Sequence, residues 1–120
     1  MRIVFLTDFG YSDWYVASMK AVVYSLAKKE NKEICLDDIT HDIPPQDIMS
    51  AAFVLYASYK YFPKGTVFCC VVDPGVGTNR DVIAVRINDY FFVSPNNFCL
   101  NLASLRRRFF RRTKSEEEKA

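Results

Sequence analysis

Apolar residues follow two different periodicities at the start of the chain. The stretch from Arg2 to Thr7 is almost continuously apolar, which predicts a buried strand. After residue 15 the apolar positions recur every three or four residues, as on one face of a helix. The predicted inward positions of this helix are Val16, Met19, Val22, Val23 and Leu26. We expect Ser12 or Asp13 to cap its N-terminus.

Strand and helix patterns continue to alternate through the next forty residues. Residues 33–39 predict a second strand, and the prolines at 44 and 45 exclude helix from the loop after it. Asp47 opens a second helix, which runs to about Tyr61. The predicted inward positions of that helix are Ile48, Ala51, Ala52, Leu55 and Tyr59.

The last predicted elements are strands. Residues 67–72 form an apolar strand, and residues 82–87 and 90–94 form a hairpin around an Asn88-Asp89 turn. The order strand, helix, strand, helix, strand, hairpin favours an α/β fold, with a mostly parallel sheet, flanking helices and one antiparallel hairpin. In such sheets ligands collect at the carboxyl ends of the strands.

Charge divides the chain into a body and a tail. Residues 101–120 hold seven Lys/Arg and three Glu, whereas residues 1–100 hold nine Lys/Arg and eleven Asp/Glu. The net charge of +2 therefore comes from the tail, and the body has no basic face suited to nucleic acid. We predict an α/β domain over residues 1–97 and a basic tail over residues 98–120, with a short helix and a disordered end.

The sequence contains no signal for membrane insertion or export. No segment has the length of a membrane span, and the first residues are too short for a signal peptide and lack a small-residue cleavage site. We therefore expect a cytoplasmic protein with no membrane partner. The four cysteines have no CxxC spacing, and we expect buried thiols rather than disulfides or a zinc site.

The candidate chemistry lies in the loop after the third predicted strand. This loop contains one carboxylate, Asp73, two glycines and, seven residues past the carboxylate, Arg80. Strands one and three each end in an Asp followed closely by Gly, so Asp8 and Asp73 could face one crevice. The alternatives are structural: Asp73 and Arg80 as an ion pair that pins a turn, and Asp8 as the cap of the following helix.

Four blocks together resemble one family, in order along residues 2 to about 97. They are Leu6–Gly10 with Asp13 and Tyr15-Val16 after it, Asp38–His41 with Ile43–Ile48, Phe62–Val67, and Val72–Arg80. The fourth block is highly specific. The blocks resemble the S-adenosyl-L-methionine hydroxide adenosyltransferases, which are S-adenosyl-L-methionine hydrolases related to fluorinase and chlorinase.

The resemblance implies a reaction and a set of site residues. The family splits S-adenosyl-L-methionine into adenosine and L-methionine by attack of water or hydroxide at the ribose C5′, without a metal or redox cofactor. Asp73 and Arg80 match two catalytic residues of the family. Asp8 matches the acid that holds the ribose hydroxyls, Asp13 an acid near the amino-acid end of the substrate, and Gln46 a position that lines the pocket.

For two of these residues a structural role is an open alternative. Asp13 is equally interpretable as a charge at a helix N-terminus, and Gln46 as a solvent-exposed residue at a helix start. His41 lies beside the prolines and is interpreted as a structural, hydrogen-bonding histidine.

The chain also departs from the family pattern. The family's third catalytic residue is a His in a Ser-x-Thr-Phe-His-Gly-Arg-Asp segment, which these 120 residues do not contain, and His41 belongs to a different motif. We expect the family's C-terminal β-domain to be missing as well. Family members form homotrimers whose sites lie between the first domain of one subunit and the second domain of its neighbour. We therefore expect a truncated member, whose N-terminal domain is incomplete and which does not necessarily form the trimer. A non-catalytic adenosine-binding or assembly module is the alternative.

Overall fold

The computed structural model describes residues 1–72 and 81–95 and the backbone of residues 111–112. Its elements are β1 (Arg2–Thr7), α1 (Tyr15–Lys29), β2 (Cys35–Thr40), α2 (Ile48–Ser58), a 3-10 turn (Tyr59–Tyr61), β3 (Val67–Val71), β4 (Val82–Ile87), β5 (Tyr90–Pro95) and β6 (Arg111–Arg112). The predicted order of elements is confirmed, with ends that shift by at most three residues.

The strands form one sheet in the order β2-β1-β3-β5-β4-β6. Strand β1 pairs in parallel with both β2 and β3, and β3 pairs in parallel with β5. The β4–β5 hairpin is antiparallel and turns at Asn88 and Asp89, which have φ angles of 50° and 68°. Asn and Asp tolerate this left-handed region better than other side chains do, which explains the position of the turn. The α/β fold class is confirmed.

Strand β6 differs from the expected helix in the tail. The backbone of Arg111 and Arg112 pairs antiparallel with Arg86 and Val85 of β4. An open sheet edge presents unpaired backbone donors and acceptors, and a segment of the same chain satisfies them here. The prediction of a short helix is therefore wrong for these two residues; the rest of the tail lies outside the described residues.

Helix α2 covers one face of the sheet, as predicted. Its inward residues Ile48, Ala51, Ala52 and Leu55 are buried, and Tyr59 after it is 7% exposed. Tyr59 packs edge-to-face against Phe92 at 5.4 Å and Tyr90 at 5.2 Å between ring centroids. The predicted cap is also confirmed, because the Asp47 carboxylate accepts the Ser50 amide at 3.0 Å. Most of the buried apolar surface lies on this face.

Helix α1 follows the predicted range, but only part of its predicted apolar face is turned inward. Val22 and Leu26 are 59% and 56% exposed, whereas Ala27 is buried and Val16, Met19 and Val23 are half-buried. At about 100° per residue, Val22 and Leu26 form a neighbouring stripe that faces solvent. The predicted cap is not formed either, since the helix begins after Trp14 without a side-chain cap. Neither described helix is long and apolar enough to cross a membrane.

Candidate functional site at the end of strand β1

Strand β1 lies at the point where the chain changes direction across the sheet. The connection through α1 leads to β2 on one side of β1, and the connection through α2 leads to β3 on the other side. In open α/β sheets the crevice beyond the strand ends at such a point is the usual ligand site. Thr7 of β1 is in register with Val71 of β3, so Asp8 leaves the sheet beside the end of β3.

The Asp8 carboxylate binds the turn that precedes α2. Its Oδ2 atom accepts a hydrogen bond from the backbone amide of Gln46 at 2.8 Å. Asp8 is half-buried, and no further hydrogen bond joins its carboxylate to residues 1–72 or 81–95. The second oxygen can therefore accept hydrogen bonds from a ligand, and hydroxyl groups are suitable donors. The alternative role of Asp8 as a cap of α1 is not observed.

Gln46 lies in a strained turn between two prolines and the α2 cap. The Asp47 amide donates to the Pro44 carbonyl at 2.9 Å, and Gln46 between them has a φ of 63°. A turn with Pro at its second position and positive φ at its third normally takes Gly or Asn there. The side chain of Gln46 is exposed, and the structure brings its backbone, rather than its side chain, into contact with Asp8.

A buried polar cluster supports the same corner of the sheet. His41 is fully buried, and its two ring nitrogens lie 2.7 Å from the Thr7 hydroxyl and 2.7 Å from the Asp38 carboxylate. The Lys20 ammonium of α1 binds the other Asp38 oxygen at 2.6 Å. The interpretation of His41 as a structural, hydrogen-bonding histidine is consistent with these contacts. The contacts of Thr7, Asp38 and Lys20 in this cluster were not predicted. The three-residue spacing of Asp38 and His41 is the signal in the sequence that could have indicated one of them.

The electrostatics of the cluster favour an ionised Asp38. Burial by itself raises the pKa of this carboxyl, but the hydrogen bonds from Lys20 and His41 and the positive charge of Lys20 outweigh burial and lower the pKa below its usual 3.8. An ionised carboxylate only accepts hydrogen bonds, so it orders the donors around it. In this cluster Asp38 is thus the acceptor, and Lys20 and His41 are its donors.

The remaining predicted site residues are not joined to this corner by described contacts. Asp13 is exposed, and its carboxylate accepts the amide of Trp14 at 2.7 Å. That bond is local, and in the described part of the chain no contact links Asp13 to Asp8 or Gln46. Asp73 and Arg80 lie outside the described residues, and their predicted catalytic roles stay predictions.

The sequence matches one family model over nearly all of its length. The model described as the SAM hydroxide adenosyltransferase N-terminal domain matches residues 3–119. The (R)-S-adenosyl-L-methionine hydrolase of Thermus thermophilus is 41% identical over 103 residues, which are 86% of this chain and 38% of the relative. The fluorinase of Actinopolyspora mzabensis is 31% identical over 85 residues, or 71% of this chain and 27% of the relative.

Solved structures agree with these matches. A crystal structure of an uncharacterized conserved protein from Thermotoga maritima superposes with a TM-score of 0.78 at 38% identity, covering 96% of this chain and 44% of that one. A crystal structure of a conserved hypothetical protein from Thermus thermophilus gives a TM-score of 0.75 at 40% identity, covering 88% and 43%. The chain thus spans less than half the length of each of these proteins.

Proposed function

Because this chain belongs to the SAM hydroxide adenosyltransferase family, matching its N-terminal domain, we propose that it binds the adenosine part of S-adenosyl-L-methionine and serves its hydrolysis to adenosine and L-methionine. The observation that carries the proposal is the Asp8 carboxylate at the end of β1. Gln46 fixes one of its oxygens, and the other is directed to the two neighbouring hydroxyls of a ribose. A carboxylate that accepts hydrogen bonds from hydroxyl groups binds them more strongly than a neutral acceptor does.

The proposed reaction is a displacement at the ribose C5′. An oxygen of water forms a bond to C5′ while the bond between C5′ and the sulfonium sulfur breaks. The bonding electron pair goes to sulfur, which leaves as the neutral thioether of methionine, and the proton of the attacking water is released. Since the attacking oxygen, C5′ and sulfur must be in line, positioning supplies much of the rate.

Asp73 and Arg80 are the proposed catalytic residues. A carboxylate about 4 Å from the sulfonium attracts it by roughly 4 kcal/mol at an effective dielectric near 20. That attraction weakens as sulfur becomes neutral, so by itself it favours the ground state. Asp73 is therefore assigned to orienting or deprotonating water, and Arg80 to keeping Asp73 ionised or lowering the pKa of the water. Asp13 is assigned to the amino-acid end of the substrate, and Gln46 to the pocket wall. The proposed chemistry uses no metal or redox cofactor.

A second candidate function is binding without turnover. The Ser-x-Thr-Phe-His-Gly-Arg-Asp segment expected to supply a third catalytic residue does not occur in these 120 residues, and the chain spans 38% of the length of its Thermus relative. For these 120 residues by themselves, we therefore propose adenosine binding or assembly as the second candidate, with a further polypeptide segment supplying the catalytic residue. The cytoplasmic location expected from the sequence belongs to both candidate functions. The homotrimer expected for the family belongs to the hydrolase and does not necessarily extend to these 120 residues.

The two candidate functions are separated by measuring binding and turnover on the same preparation. Calorimetry with adenosine and with S-adenosyl-L-methionine measures binding, and chromatography of the second mixture detects adenosine and methionine. Product formation that is lost in Asp73→Asn supports the hydrolase. Adenosine binding without products, weakened in Asp8→Ala, supports the binding module. A chain that neither binds nor cleaves, alone or with a polypeptide carrying the missing segment, contradicts both.

A further inference from the structure

His41 makes three direct hydrogen bonds to the segment that carries Asp8. Its ring Nδ1 lies 2.7 Å from the Thr7 hydroxyl, and its carbonyl accepts the Gly10 amide at 2.7 Å. The backbone amide of His41 donates a hydrogen bond to the Tyr11 hydroxyl oxygen at 3.1 Å. A further bond extends this network within the segment, since Thr7 Oγ1 accepts the Phe9 amide at 3.2 Å. These contacts hold residues 7–11 on both sides of Asp8.

The direction of each bond follows from its partners. The Asp38 carboxylate only accepts, so the His41 Nε2 atom donates its proton to it at 2.7 Å. In the neutral imidazole Nδ1 is then the acceptor, and the Thr7 hydroxyl donates to it. The Phe9 amide donates to the remaining lone pairs of Thr7 Oγ1. With this assignment every side-chain polar atom of the buried pair His41 and Thr7 has a partner, which burial requires.

The network is anchored outside the loop. Lys20 of α1 binds Asp38 at 2.6 Å, and Asp38 belongs to β2. The His41 ring is therefore held between β2, α1 and the end of β1. The ring itself is fully buried and meets Tyr11 edge-on at 5.2 Å between centroids. It has no exposed surface on which to bind a ligand, so it acts through the loop.

We propose that His41 is a positioning residue that sets the orientation of the Asp8 carboxylate, by fixing Thr7 through its ring and Gly10 and Tyr11 through its backbone. The proposal rests on the proposed function in one respect, since it takes Asp8 as the residue that contacts the ribose. Asp8 then presents one oxygen to the Gln46 amide and the other to the crevice. Its benefit is preorganisation: the carboxylate need not be ordered when the ligand binds.

Thr7→Val tests the ring contact with least disturbance. Valine has the shape of threonine without the hydroxyl, so this variant removes the bonds to His41 and to the Phe9 amide. Thr66→Val is the matched control, because Thr66 is equally buried at 1% exposure and donates to the Pro63 carbonyl at 2.5 Å in a different turn. We expect Thr7→Val to weaken adenosine binding about tenfold and Thr66→Val to leave it unchanged.

A double-mutant cycle separates positioning from a general loss of structure. In an Asp8→Asn background, the added Thr7→Val change should cause little further loss of adenosine affinity, since the group being positioned is already impaired. An equal loss in both backgrounds, an unchanged affinity in Thr7→Val, or an equal loss in Thr66→Val overturns the proposal.

Amide hydrogen exchange gives a readout independent of ligand. The Gly10 and Gln46 amides should exchange at least about tenfold faster in Thr7→Val than in Thr66→Val, because the loop opens more often. If the unaltered chain binds no adenosine, the proposed function fails, while this result still decides the structural role of His41. Unchanged exchange at both amides overturns the positioning role even if adenosine binds.

Discussion

Asp8 and Gln46 are joined by a hydrogen bond of 2.8 Å from the Gln46 amide to the Asp8 carboxylate, although they lie 38 positions apart. The bond connects the end of β1 to the turn before α2. It also holds Gln46 at a φ of 63°, a conformation that the Cβ atom of an L residue disfavours. One carboxylate thus stabilises a turn at the strand ends where we propose the ligand crevice.

The turn at Gln46 should become more stable with glycine. The left-handed conformation costs an L residue roughly 1–2 kcal/mol, and the extra freedom of glycine in the unfolded chain offsets about 0.5–1 kcal/mol of that. We expect Gln46→Gly to raise the free energy of unfolding by about 0.5 kcal/mol in urea titration. Gln46→Val, which adds a branched Cβ, should lower it by about 1–2 kcal/mol. A clear loss of stability in Gln46→Gly would contradict this account of the turn.

Two leucines should respond very differently to the same truncation. Leu55 of α2 is 1% exposed and Leu26 of α1 is 56% exposed. Leu55→Ala leaves a cavity in the main core and should cost about 2–5 kcal/mol of unfolding free energy. Leu26→Ala should cost less than about 1 kcal/mol, because most of its surface is already in water. Similar losses in urea titration would show that the outer stripe of α1 is buried in solution.

Asp38 should make stability depend on pH in the acid range. A carboxyl whose pKa is lower in the folded state adds stability that is complete above its unfolded pKa and is lost as the pH falls through the folded pKa. The pKa of Asp38 is lowered from 3.8, where the Lys20 and His41 contacts outweigh the opposite effect of burial. We expect Asp38→Asn to cost about 1 kcal/mol at pH 7.

The pH profile is the check on that interpretation. The difference in unfolding free energy between the unaltered chain and Asp38→Asn should be constant near pH 7 and shrink below pH 3.8. Asp42→Asn removes an equal charge at an exposed position of the next loop and serves as the control. A difference that persists unchanged through the acid range would mean that the ionised form of Asp38 has no special role.

Two cysteines should differ strongly in reactivity. The expectation of buried thiols is wrong for Cys35 at the edge strand β2, which is exposed, and is confirmed for Cys70 in β3, which is buried with 0% exposure. Alkylation requires the thiolate to reach solvent, so Cys70 should react only when the core opens. Peptide mapping after iodoacetamide treatment should show Cys35 modified at least about tenfold faster than Cys70. Equal rates would contradict the placement of β3 inside the sheet.

The sequence alone determined the succession of elements and the inner face of α2. Those depend on local signals: continuous apolar runs, helical spacing, the Asp47 cap and the Asn88-Asp89 turn all act within a few residues. It also pointed to Asp8 as a site residue, through the position of the residue after an apolar strand and through the resemblance of four motifs.

The surfaces and partners that these elements meet depend on contacts formed in the folded chain. Val22 and Leu26 fit a helical stripe, but the direction in which α1 presents it depends on the contacts of Ala27 and Lys20 with the rest of the fold. Arg111 and Arg112 form a strand because β4 presents an open edge. The bond from Gln46 to Asp8 and the contact of His41 with Thr7 join residues that are 38 and 34 positions apart. Such contacts leave no periodic pattern, because the folded backbone alone brings their atoms within hydrogen-bonding distance.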